Sequence, residues 1–246
     1  MKDLDRKIAK AVKYFWTTRD QQAKKQGSRT GTRDYGGRTA VTGGAQLGGF
    51  IDLFAACLVE SGIQDAEISR SARVDVALPG FFRPTKEWDL LVVANGHLIA
   101  AMEAKSQVGP SFGNNFNNRS EEAVGNAVDL WTAYREGAFR TSPRPWLGYF
   151  ILLEESSGST EPVAVKEPHF PVFEEFRGSS YARRYELLCQ RLMRERLYDG
   201  AALILSNRKE GLRGGYREPS DEVGCRSFFR SLSATAIAYA KSRRGE

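Results

Sequence analysis

The chain has almost no histidine: His97 and His169 are the only two in 246 residues. A histidine-built metal cage, or a nucleophile that leans on a histidine base, is therefore poorly supplied, and zinc is not expected. Cysteine is nearly as scarce. Cys57, Cys189 and Cys225 are far apart and fall in helical patterns, so they read as small buried hydrophobes in a reducing compartment rather than as a disulfide framework. No stretch approaches the ~20 consecutive apolar residues of a membrane span. The opening Met1-Lys2-Asp3-Leu4-Asp5-Arg6-Lys7 has no apolar core of the kind a signal peptide carries.

What is present is ordinary in amount and uneven in placement. A chain with 41% hydrophobic and 27% charged residues suits one globular domain or one domain with an appended lobe, and is taken as a single domain, 1–246. The net charge of +6 favours a polyanionic partner. Arg29, Arg33 and Arg38 sit in the Gly/Thr-rich stretch Gly27–Gly44, and Arg208, Lys209, Arg213 and Arg217 in a second Gly-rich segment. Arginine predominates over lysine there, and its planar fork binds phosphates or guanine edges with two parallel bonds. The alternative is a pair of solubilising loops.

Periodicity orders the rest. Residues 3–26 place Ile8, Val12, Phe15 and Trp16 on one helical face, and Gln46–Ser61 does the same with Leu47, Phe50, Ile51, Phe54 and Leu58. Glu67–Leu78 alternates as a strand, and Pro79–Pro84 is a turn-rich link. After a hairpin come a loop at Ser106–Asn118, a helix at 120–135, a buried strand at Trp146–Leu153 and an irregular stretch at Pro162–Gly178. A helix at Tyr181–Leu197, a buried strand at Ala201–Ser206 and a final helix at about Cys225–Lys241 complete the chain. Glu121 and Glu122 read as first-turn acids of the 120–135 helix. The order predicts an α/β fold in which helices flank a central mixed β-sheet.

The chemistry concentrates in that hairpin, Trp88 to Lys105. Two apolar runs flank Asn95-Gly96, the strongest short hairpin signal. Asp89 opens the first run, and Glu103-Ala104-Lys105 closes the second, with Glu103 and Lys105 on one face because strand side chains alternate. Two carboxylates and an ammonium at a strand end are the parts of a metal-dependent phosphodiester-cleaving site. Asp5-Arg6-Lys7 has the same acid-x-Lys spacing but lies in a solvent-facing helical pattern.

That reading sets a geometric condition. A two-residue Asn-Gly turn pairs Ala94 with His97 and would set Asp89 against Met102, with the two carboxylates on opposite faces. A three-residue loop, or a bulge further down the hairpin, sets Asp89 against Glu103 instead. A functional site thus requires an odd insertion; a mere strand end does not.

Asp89, Glu103-Ala104-Lys105 and the helix and buried strand after them resemble the PD-(D/E)xK nuclease core, although Trp88 stands where the motif has proline. Tyr35-Gly36-Gly37-Arg38 and the run from Glu103 to Asn115 narrow the likeness to the XhoI-type restriction endonucleases, across essentially the whole chain. The resemblance implies a restriction-endonuclease-like core and a type II enzyme of the bacterial cytoplasm, acting as a homodimer on double-stranded DNA. It implies Mg²⁺-dependent cutting of the palindrome CTCGAG with 5′-phosphate ends, and a cognate DNA methyltransferase in the host that is not a bound partner. Asp89, Glu103 and Lys105 would be catalytic, with Mg²⁺ on Asp89, Glu103 and the Ala104 carbonyl. Glu60 is a candidate further acid, with an exposed helix-end glutamate as the alternative. Gln107, Asn114, Asn115, Asn117 and Asn118 join the loop arginines as candidate DNA contacts. Arg183, Arg184, Arg191, Arg194 and Arg196 either track phosphates or form a solvated face. The competing readings are another nuclease of the superfamily, for repair or junction resolution, and a non-catalytic DNA-binding protein.

Overall fold

A computed structural model of the chain describes residues 2–30, 44–70 and 76–245, without the side chains of residues 25–30 and 244. The first helix, α1 (Leu4–Thr30), continues through the start of the glycine-rich stretch, so Gly27–Thr30 is helical where a loop was expected. Its Leu4, Ile8, Ala11, Val12, Phe15 and Trp16 are buried, the stripe that helical spacing predicts. α2 (Gly48–Glu60) packs beside it through Phe50, Ile51, Phe54 and Leu58.

The strand expected over Glu67–Leu78 is split. β1 (Ile68–Arg70) joins the main sheet, whereas β2 (Ala77–Pro79) pairs with β3 (Thr85–Glu87) in a separate two-stranded sheet; Ala72 and Val74 lie outside the described residues. The turn between β2 and β3 is tied to the body by Asp129, which accepts from the backbone N–H groups of Phe81 and Phe82 at 2.8 Å and from Arg83 Nε at 2.8 Å. The turn-rich link expected at Pro79–Pro84 is thus the turn of a separate hairpin made by β2 and β3.

β4 (Leu90–Ala94) and β5 (His97–Gln107) form the central hairpin, followed by α3 (Phe112–Arg135) and β6 (Trp146–Glu154). The short α4 (Ser157–Thr160), α5 (Tyr181–Arg194), β7 (Gly200–Ser206), the short α6 (Arg208–Gly211) and α7 (Cys225–Arg244) complete the order. The sheet runs β1-β4-β5-β6-β7, with β1, β4 and β5 antiparallel and β5, β6 and β7 parallel. The parallel half is buried on both faces, and for that reason β6 and β7 are continuous apolar runs rather than alternating ones.

Two cores result, one on each side of the sheet. α1, α2 and α7 cover the face carrying Ala100, Met102, Ala104, Phe150 and Ile204. α3 and α5 cover the face carrying Leu91, Ala101, Tyr149, Ile151 and Leu203. Gly148 and Gly200 are register partners on β6 and β7, and a Cβ on either would lie within 2.7 Å of the Trp146 ring, so the indole occupies the space that two side chains would take. Cys57, Cys189 and Cys225 are free and buried as expected, and burial pushes the Cys189 thiol up to about 12. No helix among the described residues is long and apolar enough to cross a membrane.

Candidate active site

The Asn95-Gly96 turn is tight: both residues have positive φ, 52° and 77°, and Ala94 pairs with His97. That is the geometry of a two-residue primed turn. Left alone, it would put the two acids on opposite faces. The ladder then slips between Val92 and Val93: Val93 faces Leu98, but Val92 faces Ala100, leaving Ile99 as an extra residue. The slip also shows in burial, since Ile99 and Ala100 both join the α1/α2 core although consecutive strand residues normally part. From there Leu90 faces Met102, the Asp89 N–H donates to the Met102 carbonyl at 3.1 Å, and the register carries Asp89 opposite Glu103. The odd insertion is a bulge within the hairpin, not a longer loop.

Asp89, Glu103 and Lys105 therefore share the α3/α5 face of the sheet. Glu103 is buried at 2% exposure. Its Oε2 accepts from Lys86 Nζ at 2.8 Å, and its Oε1 is paired with Lys105 Nζ. Asp89 Oδ2 accepts the Ala104 N–H at 2.8 Å. Burial and then the neighbouring Glu103 push the Asp89 carboxyl above the ordinary aspartate value, and the Ala104 N–H with Lys105 and Lys86 only partly offsets this. Two hard oxygen donors set together on one face match what a hard divalent cation takes up. No cluster of three or more His, Cys, Asp or Glu that could hold a metal exists among the described residues. A cation here would rest on two carboxylates and a backbone carbonyl, with water and phosphate filling the remaining positions.

Lys86 was not anticipated. It lies on β3, two residues past the expected turn-rich link, and reaches Glu103 from the separate β2–β3 hairpin. Its three-residue distance from Asp89 carries no pattern that would single it out.

The candidate DNA contacts scatter. Arg33 and Arg38 lie outside the described residues, as does Tyr35-Gly36-Gly37, and Arg29 falls on the last turn of α1. α3 begins at Phe112, eight residues earlier than expected, so Asn114, Asn115, Asn117 and Asn118 stand on its first turns rather than in a loop. Glu121 and Glu122 are consequently mid-helix, with Glu122 paired to Arg119. Asn114, Asn117 and Asn118 are exposed. Gln107 is buried, its amide donating to the Phe112 carbonyl at 3.0 Å and accepting from the Tyr185 hydroxyl, so it fixes the β5–α3 connection. Arg208 grips Asp20 with two bonds of 2.7 Å and Arg217 pairs with Glu155, while Lys209 and Arg213 are exposed.

Glu60 pairs with Lys7 at 2.7 Å at the end of α2, a helix on the sheet face opposite the site, so it does not join Asp89 and Glu103. On α5, Arg183, Arg191 and Arg194 are paired with Glu186, Glu175 and Glu222, and Arg184 bonds Ser179 and the Val163 carbonyl. These arginines largely satisfy the protein's own acids.

Known proteins bear on the same region. The sequence profile described as Restriction endonuclease XhoI matches residues 25–218. The type II restriction enzyme BstVI of Geobacillus stearothermophilus is 49% identical over 205 residues, 81% of this chain and 91% of that enzyme. The type II restriction enzyme XhoI of Xanthomonas vasicola is 44% identical over 191 residues, 78% of this chain and 76% of that enzyme. The type II restriction enzyme AbrI of Azospirillum brasilense is 48% identical over 168 residues, 68% of this chain and 74% of that enzyme. No solved structure gives a significant match. With a site of two carboxylates and a lysine on a restriction-endonuclease-like sheet, and with likeness of this extent, the chain belongs to the XhoI family of type II restriction endonucleases.

Proposed function

We propose that the protein is a homodimeric type II restriction endonuclease that cuts both strands of DNA at CTCGAG, with Mg²⁺ as its cofactor and 5′-phosphate ends as product. The observation that carries this reading is the Ile99 bulge, which sets Asp89 opposite Glu103 despite a turn that would otherwise part them. Asp89, Glu103 and the Ala104 carbonyl would hold a divalent ion, which when bound would supply Lewis acidity toward water and the scissile phosphate. Asp89 must be ionised to hold it, and the Ala104 N–H fixes which way that carboxylate faces. Lys105, on the same face as Glu103, orients the attacking water and donates to phosphate oxygens as charge builds on them. A two-fold protein matches a two-fold site, so one reading surface per subunit suffices. Guanines in each half-site suit arginine donors, with Arg29, Arg33, Arg38, Arg213 and the exposed asparagines of α3 as contacts. The enzyme would work in the bacterial cytoplasm, where a cognate methyltransferase protects the host's own sites.

The test is digestion of unmethylated plasmid with and without Mg²⁺, beside Glu103→Ala and Lys105→Ala. Discrete Mg²⁺-dependent bands mapping to CTCGAG are expected, with cleavage reduced by at least about 10²-fold in either variant. Bands elsewhere would overturn the assigned sequence, a smear would indicate a non-specific nuclease, and Mg²⁺-independent binding without cleavage would indicate a DNA-binding protein.

A further inference from the structure

Two carboxylates face two lysines among the described residues of the site. Asp89 and Glu103 carry two negative charges, Lys86 and Lys105 two positive ones, and each lysine takes a different oxygen of Glu103. A cation bridging Asp89 and Glu103 would share a carboxylate already bonded to two lysines, and it would meet both ammonium groups in a poorly solvated corner: the side chains of Lys86 and Lys105 are 12% and 24% exposed. Repulsion between the cation and two ammonium groups favours the release of one lysine. Lys105 stands on the central strand, two residues from Glu103, in the position that stabilises the transition state. Lys86 comes from a separate hairpin and has two other seats: its Nζ donates to the Glu87 carbonyl at 2.7 Å and sits 4.7 Å above the centre of the Trp88 ring. Releasing Glu103 costs it one of three partners. The hairpin itself is anchored through Asp129, so the side chain can move without its backbone.

We propose that Lys86 is a releasable internal counter-ion, which neutralises Glu103 while the site is empty of cation and passes to a phosphate oxygen of the DNA when the cation loads. This rests on the nuclease reading above and adds a positioning residue to it. The consequence is coupling: cation binding is weak until DNA takes Lys86, and by reciprocity the cation strengthens DNA binding by the same factor. The exchange leaves the ammonium paired throughout, so no buried charge is stranded at any stage.

Calorimetric titration with Ca²⁺ tests this, on wild type, Lys86→Gln, Lys86→Arg and Glu103→Ala, each alone and with a duplex containing CTCGAG. Wild type is expected to bind Ca²⁺ weakly alone and at least about tenfold more tightly with duplex. Lys86→Gln should bind Ca²⁺ about tenfold more tightly than wild type without duplex and gain correspondingly less from adding it. Lys86→Arg, which keeps the charge, should follow wild type. Lys86→Met serves in place of Lys86→Gln if thermal unfolding shows the latter misfolded. Equal or weaker Ca²⁺ binding by Lys86→Gln alone, or an undiminished gain from duplex, would overturn the proposal and leave Lys86 as a structural support for Glu103. If wild type with duplex binds no more Ca²⁺ than Glu103→Ala does, the metal site itself fails and the role of Lys86 falls with it.

Discussion

Asp89 shows how a single side chain is set by competing terms. Its carboxyl is raised by burial and by Glu103, so its folded value lies above its unfolded one. Ionised Asp89 therefore opposes folding at neutral pH, and that cost is relieved as pH falls through the raised folded value, fully so below the unfolded value near 3.9. Asp89→Asn keeps an oxygen for the Ala104 N–H and removes the charge. It is expected to raise the Tm of the cation-free protein near pH 7, while losing the proposed cation site. A lower Tm for Asp89→Asn would show that the attraction of Lys86 and Lys105 outweighs burial. If Asp89 holds the ion as proposed, cleavage in wild type should decline on acidification as its carboxyl takes up a proton in competition with the cation.

At the scale of elements, the β2–β3 hairpin is held by Asp129. Burial pushes that carboxyl up, but the Phe82 N–H, the Arg83 guanidinium and the Phe81 N–H outweigh it and hold the carboxyl below the usual range. A depressed folded value contributes stability above the unfolded value, and that contribution is lost as pH falls through the folded one. Asp129→Ala should cost about 2–4 kcal/mol at pH 7, by leaving two backbone donors and Arg83 without partners, and the difference from wild type should shrink on titration below pH 4. Because β3 carries Lys86, the same variant should also loosen the coupling of Ca²⁺ to duplex; unaltered coupling would mean that β3 is held by its pairing with β2 alone.

For the molecule as a whole, charge is the property that acts at a distance. The excess of +6 is small, and many arginines are spent on internal ion pairs, Arg208 with Asp20 and Arg217 with Glu155 among them. Attraction to DNA must then come from cations that remain exposed, such as Lys209 and Arg213. Replacing either by alanine should weaken duplex binding about equally for cognate and non-cognate sequences and lower the slope of log K against log salt by about one. Binding measured by fluorescence anisotropy across a salt series decides this. A loss confined to CTCGAG would make the residue a base reader instead.

The sequence by itself determined the layers of this protein and singled out Asp89, Glu103 and Lys105 as its candidate site. Helical stripes at Ile8 to Trp16 and Phe50 to Leu58, and the apolar runs of β6 and β7, are properties of local spacing, which burial then obeys. Asp89, Glu103 and Lys105 were legible because two strands and a turn are close in sequence. Local spacing also misjudged three segments. It read Ser106–Asn118 as a loop because glycine and asparagine disfavour helix in isolation, yet packing of Phe112 and Phe116 against α5 recruits them into α3. It read Glu67–Leu78 as one strand because alternation does not say which sheet a strand joins. It let α1 stop short of Thr30, since glycine is a poor helix former. Only the tertiary structure decided the register of the central hairpin, because a one-residue slip changes every facing pair without changing the pattern of hydrophobicity. It alone brought Lys86 to Glu103, since a buried ammonium finds its carboxylate through space and leaves no spacing in the chain to read.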